Sequence, residues 1–171
     1  MSSITRIKPV PAGTWSADPV HSHVSFEVAY AGTNNFRGGF NEYEAGLQDG
    51  VLEGSAKVAS VDVKDEQLNG HLQTPDFFDA ERFPEIVFRT TDLERGELTI
   101  KGVTRPVAIS ASVSEPNVDP FGRERVGITL EATVDRNEFG VSWNAPNQGG
   151  GNYLGDDVTI TADLALVRQE S

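Results

Sequence analysis

Cysteine is absent from this chain of 171 residues. Disulfides, thiolate nucleophiles and Cys-ligated zinc are therefore excluded together. Positive charge is scarce: 14 Lys and Arg stand against 26 Asp and Glu, a net charge of -12. A nucleic-acid partner needs a basic stripe to meet its phosphates, so that class is disfavoured. Adsorption to an anionic membrane surface is opposed for the same reason. Long apolar runs are missing as well. No segment approaches the ~18 consecutive apolar residues of a membrane span. Met1 to Gly13 holds Arg6 and Lys8 but no apolar stretch of a signal peptide, so the expected location is cytoplasmic.

What the chain does have is alternation. Val24, Phe26, Val28 and Tyr30 fall on one side of a period-two run, with His23, Ser25, Glu27 and Ala29 on the other. The same pattern recurs near Phe36 to Leu47, Val51 to Val63, Pro84 to Leu93, Glu97 to Lys101, Arg105 to Ser114, Arg123 to Asp135 and Asp157 to Arg168. Half-buried antiparallel strands need this period. Asp49-Gly50, Arg95-Gly96 and the glycine after Lys101 read as turns. Only Lys64 to Leu72 and Pro75 to Arg82 suit a short helix. The expectation is an all-β domain over 13–168, an eight-stranded antiparallel barrel with one or two short helices, preceded by a flexible tail over 1–12.

A barrel of this size is near the limit that side chains can fill. Inward positions here include Gly38, Gly54, Ala56, Ala111, Ala132 and Ala162 beside larger residues. Unfilled apolar volume is destabilising, so a ligand is expected to occupy the interior. Few charges fall on the inward faces, so that ligand should be mainly hydrocarbon with at most one polar end. The expected ligand-binding residues are Val24, Phe26, Val28, Tyr30, Phe40, Phe88, Ile109, Ile128, Leu130, Arg136, Trp143, Ile160 and Leu164. Arg136 reads as a clamp on Asp18 or Asp135, and as the group best placed to meet an anionic head. The long loop from Val141 to Asp156 reads as a lid, with Trp143, Tyr153 and Leu154 underneath.

Other chemistry finds weaker support. His21 and His23 lie two apart on a strand, so they share a side about 6.6 Å apart. A metal would need a third ligand such as His71, Asp18 or Glu27, and no metal or cofactor is expected. Asp76, Asp79 and Glu81 read as favouring a helix N-terminus. Gly149-Gly150-Gly151 fails as a phosphate loop, because no basic residue lies between Val141 and Thr161. An enzyme, an isomerase or cyclase using the same cavity, is the alternative. It would need a polar group of shifted pKa inside the tube, and only Tyr30 is a candidate. Oligomeric state stays open, a homodimer being one option.

A set of motifs carries a family resemblance. These are Trp15, Asp18-Pro19, His21-Ser22, Gly38-Gly39-Phe40, His71-Leu72, Asp76-Phe77-Phe78-Asp79, Phe83-Pro84, Leu98 to Val107 and Arg136-Asn137-Glu138-Phe139-Gly140. In this order, over about Gly13 to Val167, they resemble the YceI-like family. Val141-Ser142-Trp143 looks most like its actinobacterial-type branch. The resemblance implies a lipocalin-like barrel whose internal tube binds isoprenoid or other lipid-like chains. One departure stands out. The family usually carries a longer hairpin between Phe88 and Leu98, whereas Arg89 to Glu97 is nine residues. Shortened strands there are expected to open the wall or shorten the tube.

Overall fold

The computed structural model describes residues 11–146 and 151–169. The expected tail therefore falls almost wholly outside the described residues. In chain order the strands are β1 (Thr14–Ala17), β2 (His23–Tyr30), β3 (Asn34–Phe40), β4 (Tyr43–Gln48), β5 (Val51–Lys57), β6 (Val61–Asp62), β7 (Glu85–Thr90), β8 (Arg95–Ile100), β9 (Val103–Ala108), β10 (Ser110–Val113), β11 (Asn117–Val118), β12 (Glu124–Asp135) and β13 (Leu154–Arg168). Helix α1 (Glu66–Leu72) lies between β6 and β7. The fold is all-β, and its strands join one antiparallel sheet.

Among the described residues thirteen strands replace the expected eight, because long runs change partner partway along. The expected second strand breaks at Asn41-Glu42. β3 then stays with β2, while β4 crosses to β1 and β5. A 3₁₀ turn at Val58–Ser60 ends β5, held where the Ser60 hydroxyl accepts the Glu42 N–H at 2.9 Å. The run from Val103 breaks at Ile109, so that β9 pairs with β8 and β10 with β12. Among the described residues β9 and β12 share no ladder. The sheet is not closed by hydrogen bonds there, and continuity across the seam runs through the chain at Ile109.

Strand β13 organises the rest. Along one edge it pairs β12 from Asp157 to Val167. Along the other it pairs β2 over its first part and β1 over its last three residues. Its two ends therefore mark two ends of the barrel, one near Trp15 and one near Tyr30.

Local chemistry explains the connections. Asp65 caps α1 by accepting the Leu68 N–H at 3.1 Å, as N-cap carboxylates do. The second expected helix, 75–82, is a succession of turns. The Thr74 carbonyl accepts both the Phe77 and Asp79 N–H groups, and Asp79 has φ +54, which no helix tolerates. The turn expected at Arg95-Gly96 lies earlier. Thr90 Oγ1 donates to the Arg95 carbonyl at 2.7 Å and accepts the Leu93 N–H at 3.1 Å. This compact reversal turns Leu93 inward until it is buried. At the β8–β9 turn, Lys101 has φ +53 and Gly102 φ +77. A Cβ on Gly102 would meet the Phe83 ring at 2.5 Å, so glycine is required there twice over.

Candidate functional site: an apolar cavity in one half of the barrel

The inward side chains form two clusters. At the Trp15 end, Trp15, Leu47, Leu52, Leu93, Val113, Val126, Ile128 and Leu166 pack against one another. Trp15, Leu47, Leu52, Ile128 and Leu166 are almost wholly buried. At the other end Phe40, Leu98 and Phe139 are buried, but Val24, Phe26, Val158 and Ile160 stay only part-buried, because they face a cavity of about 500 Å³. That volume lies within the usual range for small-molecule sites. Strand β13 shows the change within one element. Val158, Ile160 and Ala162 are half-buried, and Leu164 and Leu166 are buried.

Of the residues expected from alternation, Val24, Phe26, Val28, Tyr30, Phe40, Phe88, Ile109, Leu130, Arg136, Trp143, Ile160 and Leu164 line the cavity. Ile128 is the correction. It shares their face but lies fully buried in the packed end. Tyr30 sits at the rim, 42% exposed and stacked on Tyr153 with ring centroids 5.9 Å apart. The small-residue argument needs two corrections. Phe26 and Val63 already fill the space at Gly38, where a Cβ would meet them at 2.5 and 2.6 Å. Ala111 packs against the solid cluster. Gly54, Ala56, Ala132 and Ala162 do lie on the cavity wall.

Alternation missed the residues that roof the cavity. Leu68, His71 and Leu72 come from α1, and Phe77 and Phe78 from the turns that follow. Leu68 and Leu72 are four apart and so share a helix face, a signal the sequence carried. His71 Nε2 lies 2.9 Å from Asp76 Oδ2. Its ring meets Phe77 and Trp143 edge-on, with centroids 5.0 Å away in each case. His21 does not join this roof: its Nδ1 lies 2.7 Å from Asp18 Oδ2, which Arg125 also contacts. The three histidines therefore do not converge, and the described residues hold no cluster of metal-ligating side chains.

The loop limbs at the rim are built around two polar side chains. Asn144 donates Nδ2–H to the Leu154 carbonyl, and its Oδ1 accepts the Leu154 N–H at 2.9 Å. Arg136, 6% exposed, donates Nε–H to the Gly155 carbonyl at 2.9 Å. Its Nη1 donates to the Val141 and Trp143 carbonyls at 2.7 and 2.9 Å. The expected clamp of Arg136 on Asp18 or Asp135 is thus a backbone staple instead. Asp18 belongs to Arg125, 3.1 Å away. Trp143, Tyr153 and Leu154 do line the cavity, while the tip of the expected lid, 147–150, lies outside the described residues.

Charge is tuned unequally across the molecule. The His21 side chain, the Val20 N–H and Arg125 hold Asp18 down to about 2. Burial pushes the Tyr43 phenol up, which keeps its proton on. Burial also lowers the Arg136 guanidinium, with Asp156 and Asp135 acting the other way.

Comparison with known proteins places this architecture. The sequence profile of the YceI-like domain matches residues 15–166. A UPF0312 protein of Staphylococcus aureus is 27% identical over 157 residues, covering 85% of this chain and 92% of that protein. Two solved structures share the fold. A polyisoprenoid binding domain from Saccharophagus degradans aligns with a TM-score of 0.73 at 13% identity, over 91% of this chain and 98% of that one. BcnA of Burkholderia cenocepacia aligns with a TM-score of 0.69 at 21% identity, over 90% of this chain and 99% of that one. No helix among the described residues is long and apolar enough to cross a membrane.

Proposed function

Because this chain belongs to the YceI-like family, we propose that it is a binding protein which holds a hydrophobic, isoprenoid- or lipid-like molecule in its barrel. One observation carries the reading. Apolar side chains on the inward face, among them Val24, Phe26, Val158 and Ile160, are part-buried because they border a cavity rather than one another. Leaving such surface unfilled is destabilising, so occupation by an apolar guest is favoured. The Saccharophagus domain is named as a polyisoprenoid binder, which supports a chain-shaped guest.

The magnitudes fit. Burying about ten methylenes contributes ~8 kcal/mol at about 0.8 each. Lost freedom of chain and ligand takes several kcal/mol of that. Micromolar binding follows without many polar contacts, with weak discrimination among chains of similar length. The reading is of a holder rather than a catalyst. Among the polar lining residues, Arg136 is hydrogen-bonded to carbonyls, burial keeps the Tyr43 phenol protonated, His71 lies in the roof, and Glu44, Glu53 and Glu131 are exposed.

Protein purified from its native host, extracted with organic solvent and examined by mass spectrometry, should release a hydrophobic molecule. Empty extracts, together with no binding of N-phenyl-1-naphthylamine at tens of micromolar protein, would overturn the proposal.

A further inference from the structure

The packed and hollow ends meet at Phe88. Leu52, Leu130 and Leu164 belong to the packed cluster and line the cavity as well. Among the described residues, Phe88 is the one aromatic side chain that lines the cavity and packs against both clusters. Its ladder partner across the β7–β8 hairpin is Leu98, whereas Gly96 pairs with Thr90, two residues nearer the reversal. A Cβ on Gly96 would meet Phe88 Cε1 and Cζ at 2.5 and 2.6 Å. The ring therefore leans diagonally onto Gly96, toward the reversal whose Leu93 sits in the packed cluster. Gly96, Leu98 and Ile100 are the buried positions of β8, its inward face. Glycine inside a strand weakens it, and no positive φ calls for glycine here. What Gly96 supplies is room: a dent in which the ring reclines. The ring stays part-buried because it also borders the cavity.

Resting on the reading of the cavity as a hydrophobic-ligand site, we propose that Phe88, reclined on Gly96, is the stop that sets the chain length this protein accepts. An apolar chain gains from each methylene it buries until its end meets the floor. Carbons added beyond that point stay in water at the mouth and contribute nothing. A polar end belongs at the mouth, because a polar group pressed against the Phe88 ring, Leu130 and Leu164 would lose its hydrogen bonds to water without replacement. A cavity of about 500 Å³ takes on the order of fifteen to twenty non-hydrogen atoms at about 30 Å³ each. The ligand class is therefore a single chain of that size, acyl or prenyl, and not a long polyprenyl. Phe88 and Gly96 act together in this. Without the ring the floor drops toward the packed end, and without the dent the ring stands up into the cavity.

The test is a chain-length series. Delipidated full-length protein is loaded with N-phenyl-1-naphthylamine, and the probe is displaced by the straight-chain acids from decanoate to docosanoate, one head on a growing tail. In the wild type each methylene should tighten binding about threefold, until the series levels off near hexadecanoate. Phe88→Ala deletes the ring, and its plateau should move out by about four carbons, part of the void being lost to relaxation. Gly96→Ala lifts the ring off the dent, and its plateau should move in by about two carbons. An unmoved plateau in folded Phe88→Ala overturns the assignment and leaves the cavity reading intact; the ring is then only a cover over a strand glycine. An unmoved plateau in folded Gly96→Ala overturns the part given to the dent. Affinity that keeps rising through docosanoate in the wild type also overturns the assignment, since the cavity then has no stop at this depth. Failure of the probe and of every acid to bind the wild type overturns the cavity reading itself. Should either variant fail to fold, photolabelling of the wild type decides. Hexadecanoate carrying a diazirine at its far end should label Phe88, Leu130 or Leu164. Labelling confined to Tyr30 and Tyr153 overturns the assignment.

Discussion

The end of the barrel around Trp15 and the end around Trp143 are made from the same strands with the same alternation, yet one is packed and the other hollow. In the packed end, two short segments add bulk to the middle. Trp15 comes from β1, set in the wall between β13 and β4, and Leu93 from the tight β7–β8 reversal. Together they fill the space that the longer strands leave. In the hollow end, the elements that leave the wall, α1 and the turns bearing Phe77 and Phe78, lie across the top. They roof the space rather than fill it. Alternation decides which side chains face inward. Whether those side chains touch depends on what else is delivered to the middle.

The contrast breaks most severely at Trp15. It is 1% exposed, and truncating a buried tryptophan typically removes about 3–5 kcal/mol of stability. Trp15→Ala should show that loss in urea unfolding. Any folded fraction should bind N-phenyl-1-naphthylamine within about twofold of wild type, since the cavity lies elsewhere. A large drop in affinity with little loss of stability would mean that the two ends are not separate. One step smaller is a matched pair. Ala111→Phe overfills the packed end and should destabilise by about 1–3 kcal/mol. Ala132→Phe places the same ring on the cavity wall, and should change stability by less than ~1 kcal/mol while weakening probe binding about tenfold or more. Equal destabilisation by the two would show that the cavity collapses rather than stays open.

The smallest effect concerns charge at the packed end. Asp18 accepts from His21 and Arg125 and titrates at about 2, against an ordinary 3.8. A depressed carboxyl stabilises the fold fully above pH about 4 and loses that contribution as pH falls toward 2. Arg125 also holds Asp119, at 2.7 Å, and this neighbour pushes the Asp119 carboxyl well below the usual range. Asp18→Asn should flatten the fall in Tm between pH about 4 and 2 and leave probe binding at pH 7 unchanged. An acid limb as steep as that of wild type would remove Asp18 from the explanation.

Much of this was legible in the chain, for a physical reason. Strand period is a local property, so the inward sets on β2, β12 and β13 could be read directly. The Lys101-Gly102 turn was legible because its backbone needs positive φ. What escaped depends on distant partners. The break at Asn41-Glu42 marks where one run leaves β2 for β1, and no residue in that run announces it. Ile128 and Leu130 are neighbours on one face, and only the arrival of Trp15 and Leu93 from elsewhere puts the first in solid packing and the second at the cavity floor. Arg136 reads from sequence as a clamp on Asp18 or Asp135, whereas its partners are three carbonyls on both limbs of a loop, which no local pattern announces.

Strand β13 has a consequence in time as well as in space. Trp15 is paired with Arg168 and Phe26 with Ile160, so the wall joins segments that leave the ribosome far apart. Closing so long a loop is entropically costly and slow, and N-terminal segments emerge first. Throughout synthesis one edge of β2 stays unpaired, and its Val24, Phe26 and Val28 face the surrounding medium. The compartment takes form only when its final wall arrives. The inward stripe of β2 is therefore covered late, when the last strand is added.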